Sequence, residues 1–347
     1  MASPGRRERG LTLIELLVAA AIGLAVLAVL GSVYLGSRAA YRTNEALARV
    51  QESGRLAIDW IARDLRSAGF AGCLSRGAQI TVYSNPRPVG QGSLTVLRGY
   101  ERGAGFAYPP GVERPAGDDQ SDAVRIIAVD SASRARLDGD SDVAAATIAL
   151  RDNDARFEAD DMLVVSDCER SAVFTVTGVR SRPIRLAHAA DRNGGLDTPT
   201  HRISPAFKAR DGAFVARFDS VAYFIGRSKD RKDAPPSLYR ASFERTERLA
   251  EHVEDLDFLY GVDSDDDGAV DAYLRADQVG AAQWDRVLSV RVAIVVASAQ
   301  AAVPVGAQAV LLRDVDGDTV IDAQPAAADR RLRQVFATTV SLRNRLQ

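Results

Sequence analysis

The sequence has few of the residues that enzymes commonly use for chemistry, and it has no excess of positive charge. Among its 347 residues are three histidines and two cysteines, and none of these stands in a zinc-binding or nucleophile motif. No glycine-rich loop follows a strand and opens a helix, so a phosphate site has no support. The formal net charge is -2, which does not favour nucleic acid as a partner. We therefore expect a protein that is not an enzyme, requires no cofactor and binds no nucleic acid.

The N-terminus combines a short basic leader with a long apolar run. Three arginines within residues 1–10 precede an apolar stretch from Leu11 to Leu35. As a helix this stretch is about 37 Å long, enough to cross a bilayer core of about 30 Å. The arginines predict that residues 1–10 stay in the cytoplasm and that the chain beyond the apolar run is exported.

A single carboxylate, that of Glu15, interrupts the apolar run, and three interpretations of the run remain open at this point. The first is a secretory signal cleaved near residues 37–39, although the apolar core of such signals usually has only about 7–15 residues. The second is a plain membrane anchor, although an ionised carboxylate inside a bilayer costs several kcal/mol unless it has a partner. The third accounts for both the length and the carboxylate, and it depends on the residues around Gly10.

Residues 10–18 read GLTLIELLV and resemble the leader of type IV prepilins. The resemblance implies that a dedicated prepilin peptidase cuts after Gly10 and that the new N-terminal residue, Leu11, is methylated. It also implies an assembly role for Glu15, the fifth residue of the mature chain, whose carboxylate pairs with the Leu11 amine of a neighbouring subunit. Such pairing neutralises two charges inside an apolar filament core, where an isolated charge would be costly.

Beyond the apolar run, the residue pattern predicts that the helix continues to residue 68. Apolar or small residues recur at intervals of three and four: Leu47, Val50, Gly54, Ala57, Ile58, Ile61 and Leu65. Charged residues fill the other positions, and glycines at positions 69 and 72 mark the end of the helix. We expect residues 11–36 to serve the membrane or a filament core, and residues 37–68 to pack on a domain formed by residues 69–347.

After residue 73 the apolar residues alternate with polar ones, which predicts β-strands. The clearest predicted strand covers residues 288–296. Others are expected at residues 94–97, 122–130, 162–166, 173–179, 221–225, 238–243, 256–262 and 336–342. No period of 20–50 residues indicates a repeat fold. The expected fold class is α+β, with a long N-terminal helix packed on a mainly antiparallel, β-rich domain.

Further segments resemble the PilW-type minor pilins of type IV pili. They read QESGR at 51–55, DLRSAGFAGC at 64–73, VSDC at 165–168, VEDLDFLYG at 253–261 and FATTVSLRNR at 336–345. The resemblance implies a type IV pilin-like fold, a single pass through the inner membrane and a periplasmic β-rich domain. It also implies co-assembly with other minor pilins and the major pilin, in a tip complex that primes pilus assembly and can carry an adhesin.

Two alternatives to a minor pilin stay open. Type II secretion pseudopilins of the J type share the leader and the overall plan, and a membrane-anchored periplasmic enzyme is a more distant alternative. If the resemblance to minor pilins holds, the pilus would serve a process such as cell adhesion or twitching motility.

The two cysteines, Cys73 and Cys168, both follow the apolar run. If the run exports them, they lie in an oxidising compartment and can form a disulfide. Closing that loop would stabilise the fold by about 4–5 kcal/mol on the chain-entropy account. Two unrelated buried thiols are the alternative interpretation.

Residues 263–271 read DSDDDGAVD and match part of a calcium-binding loop. Carboxylates stand at positions 1, 3, 5 and 9 of that loop, on Asp263, Asp265, Asp267 and Asp271. Position 12 is Leu274 rather than the usual bidentate glutamate, which implies weak binding with a Kd of about 10⁻⁴–10⁻³ M. A solvated Asp-Gly hairpin turn is the alternative. Residues 314–322 repeat the acidic spacing with a threonine at position 6.

Overall fold

The computed structural model describes residues 13–68, 79–84, 96–116, 121–141, 146–167, 170–194, 203, 206–231, 233–243, 245–302, 310–311, 323–324 and 329–342. Within these residues one long helix, α1 at Leu13–Ser67, is followed by strands. The first nine strands are β1 Gln79–Val82, β2 Leu97–Tyr100, β3 Val112–Glu113, β4 Ala123–Arg136, β5 Thr147–Ala149, β6 Met162–Ser166, β7 Arg170–Thr175, β8 Gly178–Ser181 and β9 Ile184–Ala187. The others are β10 Phe214–Ser228, β11 Ser237–Ala241, β12 Thr246–Glu251, β13 Val253–Val262, β14 Ala272–Leu274, β15 Val287–Ala301, β16 Val310–Leu311, β17 Ala323–Gln324 and β18 Arg331–Ser341.

The helix α1 is continuous, but only its second half packs against the β-rich part of the protein. Residues 13–42 are all exposed, and burial begins with partial cover at Thr43. The buried residues of α1 are Val50, Gly54, Ala57, Ile61, Ala62 and Leu65. The predicted apolar stripe is therefore confirmed, with Ala62 as an additional member. The expected α+β fold class is confirmed as well.

A four-stranded antiparallel sheet, in the order β14-β13-β15-β18, forms the surface on which α1 lies. The closest approach is at Gly54. A Cβ atom added to Gly54 would lie 2.1 Å from the ring of Phe336 on β18. A Cβ at this position would force the Phe336 ring or the helix to shift, so glycine permits this close approach.

A nine-stranded sheet contains most of the other described strands, and the long strand β10 connects its two parts. One edge of β10 pairs with β4 from Phe214 to Phe224. The other edge pairs first with β6, over 214–217, and then with β11, over 222–226. The strand therefore runs from the part of the sheet near α1 into a second, distal part.

Two main hydrophobic clusters follow this division. The larger one contains the buried face of α1 together with residues of β4, β10, β13 and β15, among them Ile61, Ile126, Tyr223 and Val290. The second cluster, here called the distal core, includes Ile148, Phe157, Leu163, Phe174 and Leu186. A three-stranded sheet, β5-β9-β8, forms part of this distal core. The described residues thus contain a helix-packed core and a distal core joined by β4 and β10.

The predicted single strand at residues 173–179 is wrong. Strand β7 ends at Thr175, and β8 begins at Gly178 in the three-stranded sheet. The chain changes partners between them, since the N–H of Val176 donates to the carbonyl of Asp161 and that of Thr177 donates to the carbonyl of Ala187. Apolar residues and threonines alternate from Phe174 to Thr177, so the alternation continues across the point where the chain changes partners and does not reveal the change.

Other predicted strands are present with different limits. The strand expected at 122–130 extends as β4 to Arg136, and the one expected at 221–225 is the second half of β10. The closing strand begins five residues earlier than expected, at Arg331. For the strand expected at 94–97, residues 94–95 lie outside the described residues and β2 begins at Leu97.

Candidate functional site

The first half of α1 presents a long apolar surface that the rest of the described chain does not cover. Its large hydrophobic side chains are half or more exposed, for example Leu13 at 75% and Leu35 at 65%. The distance from Leu13 to Leu35 along the helix is about 33 Å. By length and composition α1 can cross a membrane, and its apolar window contains no buried residue. A contiguous apolar surface of this size requires a bilayer or neighbouring helices around it.

Glu15 lies in the first turn of α1 as the structure describes it. The two residues that the prepilin resemblance assigns to processing, Gly10 and Leu11, lie outside the described residues. Their roles stay predictions, and the structure places Glu15 at the start of the exposed apolar helix.

The C-terminal end of α1 is held by a partly buried ion pair that the sequence pattern did not predict. The Oδ2 atom of Asp64 accepts a hydrogen bond from the hydroxyl of Tyr223 at 2.6 Å and one from Nε of Arg240 at 2.8 Å. Both charged side chains are 15% exposed. Burial, followed by the neighbouring Asp64 carboxylate, raises the pKa of Tyr223, so its hydroxyl keeps its proton. This contact ties the helix to β10 and β11.

A buried carboxyl, that of Asp122, connects the two sheets and was also not predicted. Its Oδ1 accepts the N–H of Arg102 at 2.7 Å, and its Oδ2 accepts the N–H of Phe258 at 3.0 Å. Its own N–H donates to the carbonyl of Leu256 at 2.7 Å. Burial, and then the charges of Glu101 and Asp257, raise the pKa of Asp122 to about 8. Asp122 therefore holds a proton at neutral pH while it bridges β4 and β13.

The acidic loop at residues 263–271 connects β13 to β14. Asp263, Asp265 and Asp267 each offer an oxygen within 4.8 Å of the others. Asp271 is not in this group, and its Oδ2 accepts the N–H of Ser264 at 2.6 Å. The structure therefore brings together three of the four predicted calcium ligands.

The loop carboxylates also accept backbone hydrogen bonds from the loop itself. Asp263 is fully buried, and its two oxygens accept the N–H groups of Asp266 at 2.7 Å and Gly268 at 3.0 Å. Asp266 and Gly268 have φ angles of 69° and 88°, the left-handed conformation of a tight turn. These contacts agree with a hairpin turn, and calcium binding stays a prediction. The second acidic stretch, residues 314–322, lies outside the described residues.

Calcium at a concentration of ten times its Kd is expected to raise the melting temperature of the full-length protein in detergent by about 2 °C. The reason is that a divalent cation would relieve the repulsion among the clustered carboxylates. Melting curves in calcium and in chelator measure the effect, which D265A/D267A should abolish. D230N, at an exposed aspartate outside the loop, is the matched control. Identical melting of the wild type in both conditions would leave only the hairpin turn.

The predicted disulfide involves Cys73 and Cys168, both of which lie outside the described residues. It stays a prediction with a direct test. We expect the full-length protein, purified without reductant and unfolded in the presence of a thiol reagent, to bind no label until reductant is added. Two labelled cysteines before reduction would show that the pair is not bridged.

Models of known protein families match two separate parts of the chain. A model described as "Prokaryotic N-terminal methylation motif" matches residues 5–31, and a model described as "Type IV Pilus-assembly protein W" matches residues 222–344. Searches of curated proteins and of solved structures found no match. The second match starts within β10 and includes β11 to β18, so the segments at 51–73 and 165–168 that resemble PilW-type proteins fall outside it.

Each match corresponds to a structural feature described above. The methylation motif covers the start of the apolar half of α1, and the pilus-assembly match covers the sheet on which α1 lies. Both matches indicate a structural component of pilus assembly rather than an enzyme. The two matches together support a type IV pilus-related, pilin-like protein, with a methylation motif at residues 5–31 and a region similar to type IV pilus-assembly protein W at residues 222–344.

Proposed function

We propose that this protein is a minor pilin of a type IV pilus. The prepilin enters the inner membrane through α1, with its β-rich domain in the periplasm, and a prepilin peptidase removes residues 1–10. The mature chain then assembles with other minor pilins into a complex that primes polymerisation of the major pilin and forms the tip.

The observation that carries this proposal is the division of α1 into two halves. Residues 13–35 expose a mainly apolar surface to the surroundings, while the second half of the helix is fixed to the domain through Gly54 and Asp64. A plain anchor needs only the membrane-spanning part. A rigid continuous helix that also forms part of the domain core suits subunits that stack through their helices and carry their domains outside. The methylation motif at 5–31 supports the same conclusion.

The match to the pilus-assembly family favours a pilus over a type II secretion apparatus. We expect the protein to co-purify with pili sheared from the cell surface, and deletion of its gene to reduce piliation. Normal piliation together with a loss of exoprotein secretion in the deletion strain would instead identify the pseudopilin alternative.

Processing gives the first test of the proposal. Mass spectrometry of the mature protein is expected to find Leu11 as a methylated N-terminus. G10V should leave the full precursor, because the peptidase must accommodate the residue before the cleaved bond. G23V is the matched control, since a Cβ at Gly23 meets no atom within 4 Å in the described structure. A mature N-terminus at Ala40 would establish an ordinary secretory signal and contradict the proposal.

A further inference from the structure

A groove opens at the base of the β-rich domain, where α1 first meets it. The hydroxyl of Thr43 donates to the carbonyl of Ala302 at 2.6 Å, and all described residues before Thr43 are exposed. The groove has a volume of about 490 Å³ and lies between α1, the end of β15 and the turn at His252. We call it the basal groove.

The lining of the basal groove combines charged, polar and small apolar residues. Arg42 and Arg49 of α1 contribute guanidinium groups, and five alanines, here called the alanine floor, contribute methyl groups: Ala46, Ala297, Ala299, Ala301 and Ala302. The two carboxylates at the groove are already engaged, Glu45 by Arg49 at 2.7 Å and Glu251 by Arg248 at 2.8 Å. Within the part of the chain that the structure describes, no ion pair or hydrogen bond engages the Arg42 side chain. The groove thus offers one guanidinium that no described residue neutralises, together with the methyl groups of the alanine floor.

The position of the groove relative to the membrane follows from α1. The apolar run ends at Leu35, and Arg42 lies about 10 Å further along the helix. Tyr34 and Tyr41 are 60% and 71% exposed, and exposed aromatic residues of this kind mark the headgroup level of a membrane-spanning helix. Arg38 lies between them, with its guanidinium 5.6 Å from the centre of the Tyr34 ring. The mouth of the groove is therefore next to the lipid headgroups when α1 spans the bilayer.

We propose that the basal groove binds the headgroup and glycerol of an anionic phospholipid from the periplasmic leaflet. This inference rests on the proposed function, because it requires α1 to be in the membrane. The guanidinium of Arg42 pairs with the lipid phosphate, and the alanine floor contacts the glycerol and the first methylenes. A free phosphate would use the arginine but gain nothing from the alanines. The bound lipid holds the domain against the membrane until the subunit leaves for the filament.

The experiment uses the full-length protein in nanodiscs of phosphatidylcholine with one-fifth phosphatidylglycerol. Native mass spectrometry measures which lipids stay bound, and hydrogen exchange measures protection of residues 297–302. Two variants test the two parts of the groove: R42Q removes the cation, and A46L fills the floor without changing a charge. R55Q is the matched control, since Arg55 is exposed on the same helix, 13 residues beyond Arg42.

We expect phosphatidylglycerol to be retained over phosphatidylcholine. R42Q should reduce this retention about fivefold, the loss expected for one arginine–phosphate contact near a membrane. A46L should reduce retention to a similar extent, and R55Q should not.

Equal retention of the two lipids, or equal effects of R42Q and R55Q, would overturn the proposal. Hydrogen-exchange protection of residues 297–302 by inorganic phosphate alone would overturn the proposal in favour of a phosphate site. Protection of these residues only in assembled filaments would overturn it in favour of a contact between subunits. Flotation with pure phosphatidylcholine vesicles tests separately whether α1 inserts into a membrane. Failure to insert would contradict the proposed function, whereas insertion without preference for phosphatidylglycerol would contradict only the lipid proposal.

Discussion

Replacing Glu15 with alanine is expected to leave the protein in the membrane and to remove it from the filament. Loss of a carboxylate makes α1 a better membrane span, so the amount of processed protein in the membrane fraction should not fall. Assembly should fail because the Leu11 amine of a neighbouring subunit loses its partner, and an unpaired charge in an apolar filament core costs several kcal/mol. We expect piliation of cells producing E15A to fall to the level of cells that lack the gene.

Electron microscopy of surface pili, with immunoblots of membrane and sheared-pilus fractions, measures this outcome. The matched control is E52A, because Glu52 is an exposed carboxylate in the half of α1 that is fixed to the domain. E15D keeps the charge on a shorter side chain and should restore assembly in part. Wild-type piliation in E15A would remove Glu15 from the assembly mechanism.

The second large effect is a dependence of folding stability on pH that arises from Asp122. Its pKa is about 8 in the folded protein, against about 4 in an unfolded chain. The folded state therefore holds a proton that the unfolded state has lost, and stability falls as the pH rises from about 4 to about 8. His188 acts in the opposite direction, since burial lowers its pKa to about 4 and stability is lost as the pH falls below about 6.5.

Between pH 6.5 and pH 8 the effect of Asp122 exceeds the opposite effect of His188, because most unfolded-chain histidine has lost its proton above pH 6.5. We expect the free energy of unfolding of the full-length protein to fall by about 1–2 kcal/mol over this range. Urea unfolding followed by tryptophan fluorescence measures it, because Trp284 is buried against Tyr260 with ring centroids 4.8 Å apart. D122N should remove the slope because asparagine does not ionise, whereas D154N, at an exposed aspartate, should keep it. A slope that persists in D122N would show that another group titrates.

The helix and several strands could be predicted from the sequence because their signals are local. The spacing from Val50 to Leu65 indicated the buried face of α1, and the alternation over 288–296 indicated most of β15. Strand β10 was predicted only in its second half, where the apolar residues 221–225 follow one another. In its first half burial alternates over 216–220, but one of the buried residues is Ser220, so the apolar alternation there is too short to indicate a strand.

The contacts that hold the domain together could not be predicted in the same way. Asp122 bonds to Phe258, 136 residues away, and Asp64 bonds to Tyr223, 159 residues away. Each residue stands in an ordinary polar setting in the sequence. Only the fold brings their partners to them, so no local pattern could mark either carboxylate as buried. In the candidate site, by contrast, Glu15 was identifiable because a charge within an apolar run is exceptional.

The way α1 lies on β18 has a mechanical consequence. Thr43 bonds to Ala302, whose N–H donates to Arg330 beside the start of β18, and Gly54 lies against Phe336. From Thr43 to Gly54 the helix advances about 16 Å, and from Arg330 to Phe336 the strand advances about 20 Å. Because the two elements meet at both ends of these similar distances, they run in nearly the same direction. A force that pulls α1 out of the membrane therefore acts along β18 and loads its hydrogen bonds to β15 in shear. Bonds loaded in shear resist together, whereas bonds that are peeled break one at a time, so this arrangement would keep the domain folded during the assembly that we propose.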